Sequence, residues 1–351
     1  MREVPVEKLK KFIEYDKHSK VYRLEDKKVG LIGFIAIHRK TDRVPALGAT
    51  RLWKYGSEED ALRDALRLSC LMSYKSALAG LPYTGGKAVL IWNESIENNR
   101  EEFFNSYADC VNSLKGEFVT GTDVGVYDSD VTTMSKKTDY VIGRGVNPGY
   151  FTALGILYSI ETALNKVYGS ESLEGKTFAV QGLGKTGLGL IKLLYNKVAK
   201  IIATDINKET IKKVTAEFPN IEMVEPDEIY SQVVDVFSPC ALNGVLNEDT
   251  IGKLKCKIIC GSANNQLNDE LIGEKLNKLN ILYVPDYVAN SGGLISVADE
   301  FEYGVHSEDR INKKLLAIKT SLKSIFDESD DENEATNIVA NKIAEEIISS
   351  K

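Results

Sequence analysis

Two lysines and an aspartate in the first third of the chain stand in settings that suit proton chemistry. Lys87 follows Thr84-Gly85-Gly86 and precedes the apolar run Ala88-Val89-Leu90-Ile91. The glycines give it little side-chain cover, and the strand expected behind it would set it over the floor of a cleft. Desolvation there, or a second cation such as Lys75 in Met72-Ser73-Tyr74-Lys75, lowers a lysine pKa toward neutrality and makes it a proton shuttle. Asp123, in Thr120-Gly121-Thr122-Asp123-Val124-Gly125, leaves the end of another apolar strand. Strand ends facing a cleft are where α/β proteins place their chemistry. On residue type alone each lysine is also an ordinary surface charge, and Asp123 an ordinary turn former.

A second constellation binds rather than reacts. Gly182-Leu183-Gly184-Lys185-Thr186-Gly187 is a G-x-G-x-x-G with a strand expected before it (Thr177–Gln181) and an apolar helix after it. In that context Gly182 permits the tight turn, Gly184 lets backbone approach a pyrophosphate, and Gly187 lets helix pack close to strand. The free N–H groups at Lys185, Thr186 and Gly187 then face the anion. The next strand ends at Asp205, 18 residues past Gly187. A carboxylate there accepts from a ribose 2′-hydroxyl and repels a 2′-phosphate, so the expected cofactor is NAD rather than NADP.

These groups need elements to carry them. Val29–His38, Lys87–Trp92 and Glu117–Thr120 read as strands, and Ser57-Glu58-Glu59-Asp60 starts a helix that Gly80-Leu81-Pro82 stops. The Gly- and Pro-bearing segment Asp139–Tyr150 is the expected linker. A helical pattern begins at Phe151. Thr177–Gln181, Lys200–Thr204, Val234–Ser238, Lys257–Cys260 and Leu282–Val284 then alternate with helices, the signature of a parallel doubly wound sheet. The last ~40 residues read as helices broken by a solvated acidic loop at Asp327–Glu332.

The chain has 351 residues, about two domains' worth. Its net charge of −7 argues against nucleic acid or an anionic membrane as partner. No apolar run approaches the ~20 residues of a membrane span, and Met1–Lys11 lacks a signal-peptide core. A cytoplasmic location is expected. Five scattered cysteines and three isolated histidines (His18, His38, His306) assemble neither a disulfide framework nor a zinc site. Cys256 and Cys260 are expected to be structural thiols. No metal is expected.

The chain resembles the amino-acid dehydrogenases of the glutamate/leucine/phenylalanine/valine family. The resemblance rests on Leu47-Gly48-Ala49-Thr50-Arg51, Met72–Lys75, Gly85-Gly86-Lys87, Thr120–Gly125, Gln181–Gly187, Pro239-Cys240-Ala241, Gly261–Gln266 and Pro285–Glu300. It implies a two-domain α/β fold with a cleft between the domains. One is a substrate and oligomerisation domain over residues 1–147, joined by C-terminal helices from about 320 to 351. The other is a Rossmann domain over 148–319. It implies a homo-oligomer.

The resemblance also implies roles. Lys75 binds the substrate α-carboxylate, helped by backbone near Gly48. Lys87 activates the water that attacks an imine, and Asp123 exchanges protons with the amino group. Thr152, Asn264 and Asn290 meet the cofactor, Asn290 the substrate as well, and Leu294 and Val297 wall the side-chain pocket. Thr84 and Ala49 stand where glycines are usual, each adding a Cβ expected beside the substrate carboxylate.

The substrate follows from two positions. Glutamate-specific members carry a lysine where this chain has Leu47, which cannot pair a second carboxylate, so an apolar side chain is expected. Gly121, where leucine-type members more often carry alanine, leaves room for a larger one. That places phenylalanine first, leucine and other branched-chain substrates close behind, and tryptophan as a further alternative. The scarcity of histidine argues against a hydroxy-acid dehydrogenase. A catalytically inactive NAD-binding regulator would be expected to have lost Lys75, Lys87 or Asp123.

Overall fold

Alternation of apolar residues builds the first sheet. β1 (Arg2–Glu3), the one-turn α1 (Val6–Leu9), β2 (His18–Asp26), β3 (Leu31–His38) and β4 (Ala46–Trp53) lead into α2 (Glu58–Leu78). Ser57 caps α2, its hydroxyl accepting from Asp60 N–H at 3.1 Å, with three acidic residues at the positive end of the helix dipole. Then come β5 (Thr84–Ile91), α3 (Ile96–Ser113), β6 (Phe118–Val119) and α4 (Asp128–Ser135). The computed structural model describes residues 1–39, 41, 44–145, 147–241 and 243–350.

The strands form a mixed sheet in the order β1-β2-β3-β5-β4-β6, with β4 parallel to both β5 and β6. One face packs Val21, Phe34 and Val89 against Ala61, Ala65 and Leu66 of α2. The other packs Leu24, Ile35 and Leu90 against Phe103, Phe104 and Tyr107 of α3. Both faces are covered, so any polar group on either must find a partner there.

α5 (Pro148–Tyr168) opens the second half, with Asn147 as its cap and Pro148 at its first turn. β7 (Thr177–Gln181), α6 (Lys185–Leu194), β8 (Lys200–Thr204), α7 (Lys208–Glu217), β9 (Glu222–Met223), β10 (Val236–Pro239), α8 (Glu248–Ile251), β11 (Ile258–Ile259), α9 (Leu271–Lys278) and β12 (Leu282–Tyr283) follow. These strands are all parallel, in the order β12-β11-β10-β7-β8-β9. That is the doubly wound arrangement of a Rossmann domain, with its switch point between β7 and β10. α10 (Asp286–Ala289), α11 (Gly292–Tyr303), α12 (Glu308–Glu332) and α13 (Thr336–Ser349) complete the chain.

The chain divides into two compact units. One comprises Met1–Val146, Val297–His306 and Ala344–Lys351; the other comprises Asn147–Ser296 and Ser307–Ile343. The boundary falls inside the expected linker, but the C-terminal helices do not go together to the first unit. α12 belongs to the second, because it lies along α5. Ile318 packs where Gly155 has no side chain, Lys319 bridges Glu161 and Glu171 at 2.7 and 2.8 Å, and Lys166 pairs with Asp330. Only two short pieces return to the first unit. Glu300 accepts from the Gly143 and Arg144 N–H groups, each at 3.1 Å, and Glu345 accepts from Arg39 at 2.6 Å.

The acidic run is a second correction. Asp327–Glu332 is the last part of α12, not a loop. Leu322, Ile325, Phe326 and Ser329 stay buried at helical spacing through it. The acidic residues mostly line the outer side of the same turns. Asn333 ends the helix in the left-handed region at φ 55°. Among the described residues, no helix is long and apolar enough to cross a membrane.

Candidate active site

Strand parity assembles the first constellation. In the β4–β5 register Leu47 lies opposite Gly85, Ala49 opposite Lys87 and Arg51 opposite Val89. Side chains alternate along a strand, so Leu47, Ala49 and Arg51 share the α2 face with Lys87. The chain beyond β6 keeps the same offset from β4, with Thr50 bridged to Thr122. Gly121 and Asp123 therefore join that face.

Lys87 reaches Asp123 there. Its Nζ donates to Oδ2 at 2.6 Å, and the lysine side chain is 6% exposed. Burial lowers the Lys87 pKa below that of an ordinary lysine; Asp123 opposes the shift and the Arg51 charge adds to it. For Asp123, burial raises the pKa, but the charges of Lys87 and Arg51 outweigh it and hold the carboxyl below the usual carboxylate range. A buried amine whose ammonium form is disfavoured, hydrogen-bonded to a carboxylate, is equipment for proton transfer.

The other expected residues of this unit lie on α2, β4 and β5. Lys75 is half-buried near the C-terminal end of α2. Two residues earlier, the Ser73 hydroxyl accepts from Gly85 N–H at 2.7 Å and ties the helix to the Gly85-Gly86 turn into Lys87. Leu47 is fully buried. A Cβ on Gly48 would collide with the Gly86 carbonyl, so the glycine is required by the close approach of β4 to β5. Of the two departures from the usual glycines, only Ala49 lies on the Lys87 face. Thr84 lies opposite Ala46 and faces the α3 side, away from Lys87, which corrects its expected placement.

The second unit carries the dinucleotide residues. Gly182 turns at φ +95°, and a Cβ there would sit 2.6 Å from that of Ala241, which follows β10 across the switch point. A Cβ on Gly187 would strike the Gly182 carbonyl, whereas one on Gly184, the cap of α6, would meet open space. The Gly184 backbone is thus open to a phosphate, with exposed Lys185 and half-buried Thr186 beside it. Asp205 braces the turn: Oδ2 accepts from Leu183 N–H at 2.7 Å, and Oδ1 from Asn207 N–H at 2.8 Å.

Asn290 Nδ2 donates to Asn264 Oδ1 at 2.9 Å and to the Ser262 carbonyl at 3.2 Å. Its own Oδ1 is buried without a partner, a vacant acceptor suited to a ligand amide. Thr152 donates to Pro148 O at 2.8 Å and lies against Gly293. Leu294, buried, and Val297, half-buried, stand one turn apart on α11. The open glycine cradle and the orphaned acceptor fit a dinucleotide.

Residues 148–348 match the family described as Glutamate/Leucine/Phenylalanine/Valine dehydrogenase, and residues 18–143 match its dimerisation domain. The chain belongs to this dehydrogenase family. It is 41% identical to leucine dehydrogenase of Geobacillus stearothermophilus, over 96% of this chain and 92% of that one. It is 39% identical to phenylalanine dehydrogenase of Bacillus thermotolerans, over 97% and 91%. The crystal structure of L-tryptophan dehydrogenase from Nostoc punctiforme superposes with a TM-score of 0.84 at 39% identity, covering 99% of both chains. The protein is an oxidoreductase of the amino-acid dehydrogenase type and works with a nicotinamide cofactor.

Two features of this dehydrogenase escaped the sequence reading. Arg51 donates to Asp123 at 3.2 Å, so the cation seen beside the Lys87–Asp123 pair is an arginine two residues past Ala49. Asp16, His38 and Cys70 also bring metal-ligand atom types together. There Arg39 donates to both Asp16 oxygens, at 2.7 and 2.9 Å, and burial pushes the Cys70 thiol up to about 12. Asp16 is therefore ion-paired with Arg39, beside a protonated thiol. His38 further donates to or accepts from Ser73 at 2.9 Å, and His18 bonds the Leu66 carbonyl and Ser69, each at 3.0 Å; these histidines brace β2 and β3 against α2. Cys256 and Cys260 are buried free thiols flanking β11.

Proposed function

We propose that the protein catalyses the reversible, NAD-dependent oxidative deamination of an apolar L-amino acid to its 2-oxo acid, with release of ammonium. The observation that carries this reading is the buried Lys87–Asp123 contact at 2.6 Å, in a chain that also holds an open dinucleotide turn. When bound, the nicotinamide supplies the hydride acceptor that no side chain provides.

The chain's own residues bind, orient and move protons. Lys75 takes the α-carboxylate by a charge-assisted bond. Neutral Lys87 removes a proton from the water that adds to the imino carbon. Asp123 exchanges a proton with the amino nitrogen, so that the resulting carbinolamine collapses to the 2-oxo acid and ammonia leaves protonated. Gly182, Gly184 and Gly187, with Lys185 and Thr186, cradle the pyrophosphate, while Asp205 receives the ribose and disfavours a 2′-phosphate. Asn290, Asn264 and Thr152 orient the nicotinamide end.

Buried Leu47 offers nothing to a side-chain carboxylate, which supports an apolar substrate over glutamate. Gly121 leaves room beside the pair, and phenylalanine is the substrate this favours, ahead of leucine, other branched-chain amino acids and tryptophan. The chain works as a homo-oligomer through its first unit. The presence of Lys75, Lys87 and Asp123 together supports turnover over a silent regulatory role.

The test is NADH formation with L-Phe, L-Leu, L-Val, L-Trp and L-Glu, repeated with NADP. Turnover of apolar substrates with NAD supports the reading. Turnover of L-Glu alone, or of none, overturns it.

A further inference from the structure

Arg51 is a charged member of the Lys87 face to which the reaction outlined above gives no task. It sits on β4, between the strand that carries Lys87 and the segment that carries Asp123. Its side chain is 17% exposed. Nε donates to Asp123 Oδ2 at 3.2 Å, the same oxygen that takes the Lys87 ammonium. Nη1 donates to Asp64 Oδ2 on α2 at 3.0 Å.

Asp64 is itself held from two further sides. Tyr55, in the turn between β4 and α2, donates to Oδ2 at 2.6 Å, and Arg67, one turn along α2, donates to Oδ1 at 2.7 Å. The guanidinium is therefore clamped between two carboxylates, one anchored in helix α2 and the other at the proton-transfer pair. A planar fork with fixed donors suits that bridge, and a lysine ammonium does not.

Several charged and titratable groups stand at the pair, directly or through Asp64. Arg51 comes from β4; Asp64 and Arg67 come from α2; Tyr55 comes from the preceding turn. On β3, the residue paired with Lys87 is Ala36. Arg51 and Asp64 act on Lys87 with opposite signs: the guanidinium disfavours its ammonium form and the carboxylate favours it.

We propose that Arg51 is a positioning residue for the reaction: bridged from Asp64 to Asp123, it fixes the Asp123 carboxylate and sets the balance of charge around Lys87. The inference rests on the proposed amino-acid dehydrogenase reading and adds to it a residue that never touches the substrate.

The experiment compares the pH dependence of kcat/KM for wild type, Arg51→Gln, Arg51→Lys and Asp64→Asn on the best apolar amino acid, with NADH binding followed by fluorescence as a control on the second unit. Removing the Arg51 charge shifts the rising limb to higher pH. Removing the Asp64 charge, with an acceptor kept for Tyr55 and Arg67, shifts it to lower pH. Arg51→Lys keeps the limb near its wild-type position but does not restore full kcat, because one ammonium cannot hold both carboxylates. Both neutral variants lose roughly 10- to 100-fold in kcat, the cost of a slightly misplaced group, with NADH affinity unchanged.

Limbs that stay put, or that move the same way in Arg51→Gln and Asp64→Asn, overturn the inference, since loosened packing alone does not distinguish the sign of the lost charge. If Arg51→Gln does not fold, the limb in Asp64→Asn and the kcat of Arg51→Lys decide by the same criteria. A wild-type enzyme inactive on every amino acid overturns the underlying reading; an active one with unmoved limbs overturns the role of Arg51 alone.

Discussion

Lys87 reaches across the intervening strand β4 to Asp123, and its Nζ lies 2.6 Å from Oδ2. Neither residue is near the other in sequence, and neither strand pairs with the other. The contact exists because β4 presents only Ala49 at the crossing point, opposite Lys87 in the register. A larger residue there would stand between the lysine and the carboxylate.

Lys75 is proposed to bind the substrate rather than to take part in the chemistry. It is placed on α2, anchored to the Lys87 turn through Ser73, and its proposed partner is the substrate carboxylate. Lys75→Ala is expected to raise KM for the amino acid by roughly 10- to 150-fold, the worth of a charge-assisted hydrogen bond, with a smaller fall in kcat. Steady-state kinetics at saturating NAD checks this. An unchanged KM would remove Lys75 from the binding site.

Asp205 is the residue proposed to set cofactor choice. Both of its oxygens already brace the backbone of the glycine turn, so Asp205→Ala is expected to weaken NAD use as well as to lower the NAD-to-NADP preference by roughly tenfold or more. The ratio of kcat/KM for the two cofactors is the measurement. Wild-type efficiency that favours NADP would refute the assignment.

Gly121 is proposed to leave room for the substrate side chain. A Cβ there would lie 3.3 Å from the Ile142 carbonyl and 3.5 Å from Ile142 Cγ1, close enough to need a shift of a few tenths of an ångström but not a collision. Gly121→Ala is therefore expected to fold and to lower the L-Phe to L-Leu preference by a methyl's worth, about 1–3 kcal/mol or roughly 10- to 200-fold. A ratio unchanged by the substitution would place the substrate side chain elsewhere.

How much of this was legible in the sequence depended on distance along the chain. The dinucleotide turn was readable because strand, glycines, helix and Asp205 are contiguous, and the structure places them as a Rossmann turn. β4 was not, because Gly48 and Ala49 interrupt its apolar alternation. With it goes the parity that puts Arg51 and Asp123 on one face, so the sequence points to Lys75 as a second cation and not to Arg51. The acidic end of α12 looks like a loop in the sequence because its charge density masks the continuing helical spacing of Leu322, Ile325, Phe326 and Ser329. The allegiance of α12 is a matter of its packing on α5, which no local pattern encodes.

The most direct test of the account is the pH profile of Lys87→Ala. In wild type, kcat/KM should rise with pH through an ionisation below that of an ordinary lysine, because burial and Arg51 make Lys87 neutral at lower pH. The apparent value belongs to the Lys87–Asp123 couple. In Lys87→Ala that limb should vanish and kcat should fall by ~10²–10⁴-fold, the usual worth of general acid–base catalysis, with dinucleotide binding intact. A Lys87→Ala enzyme with near-wild-type kcat and an unaltered profile would contradict the account.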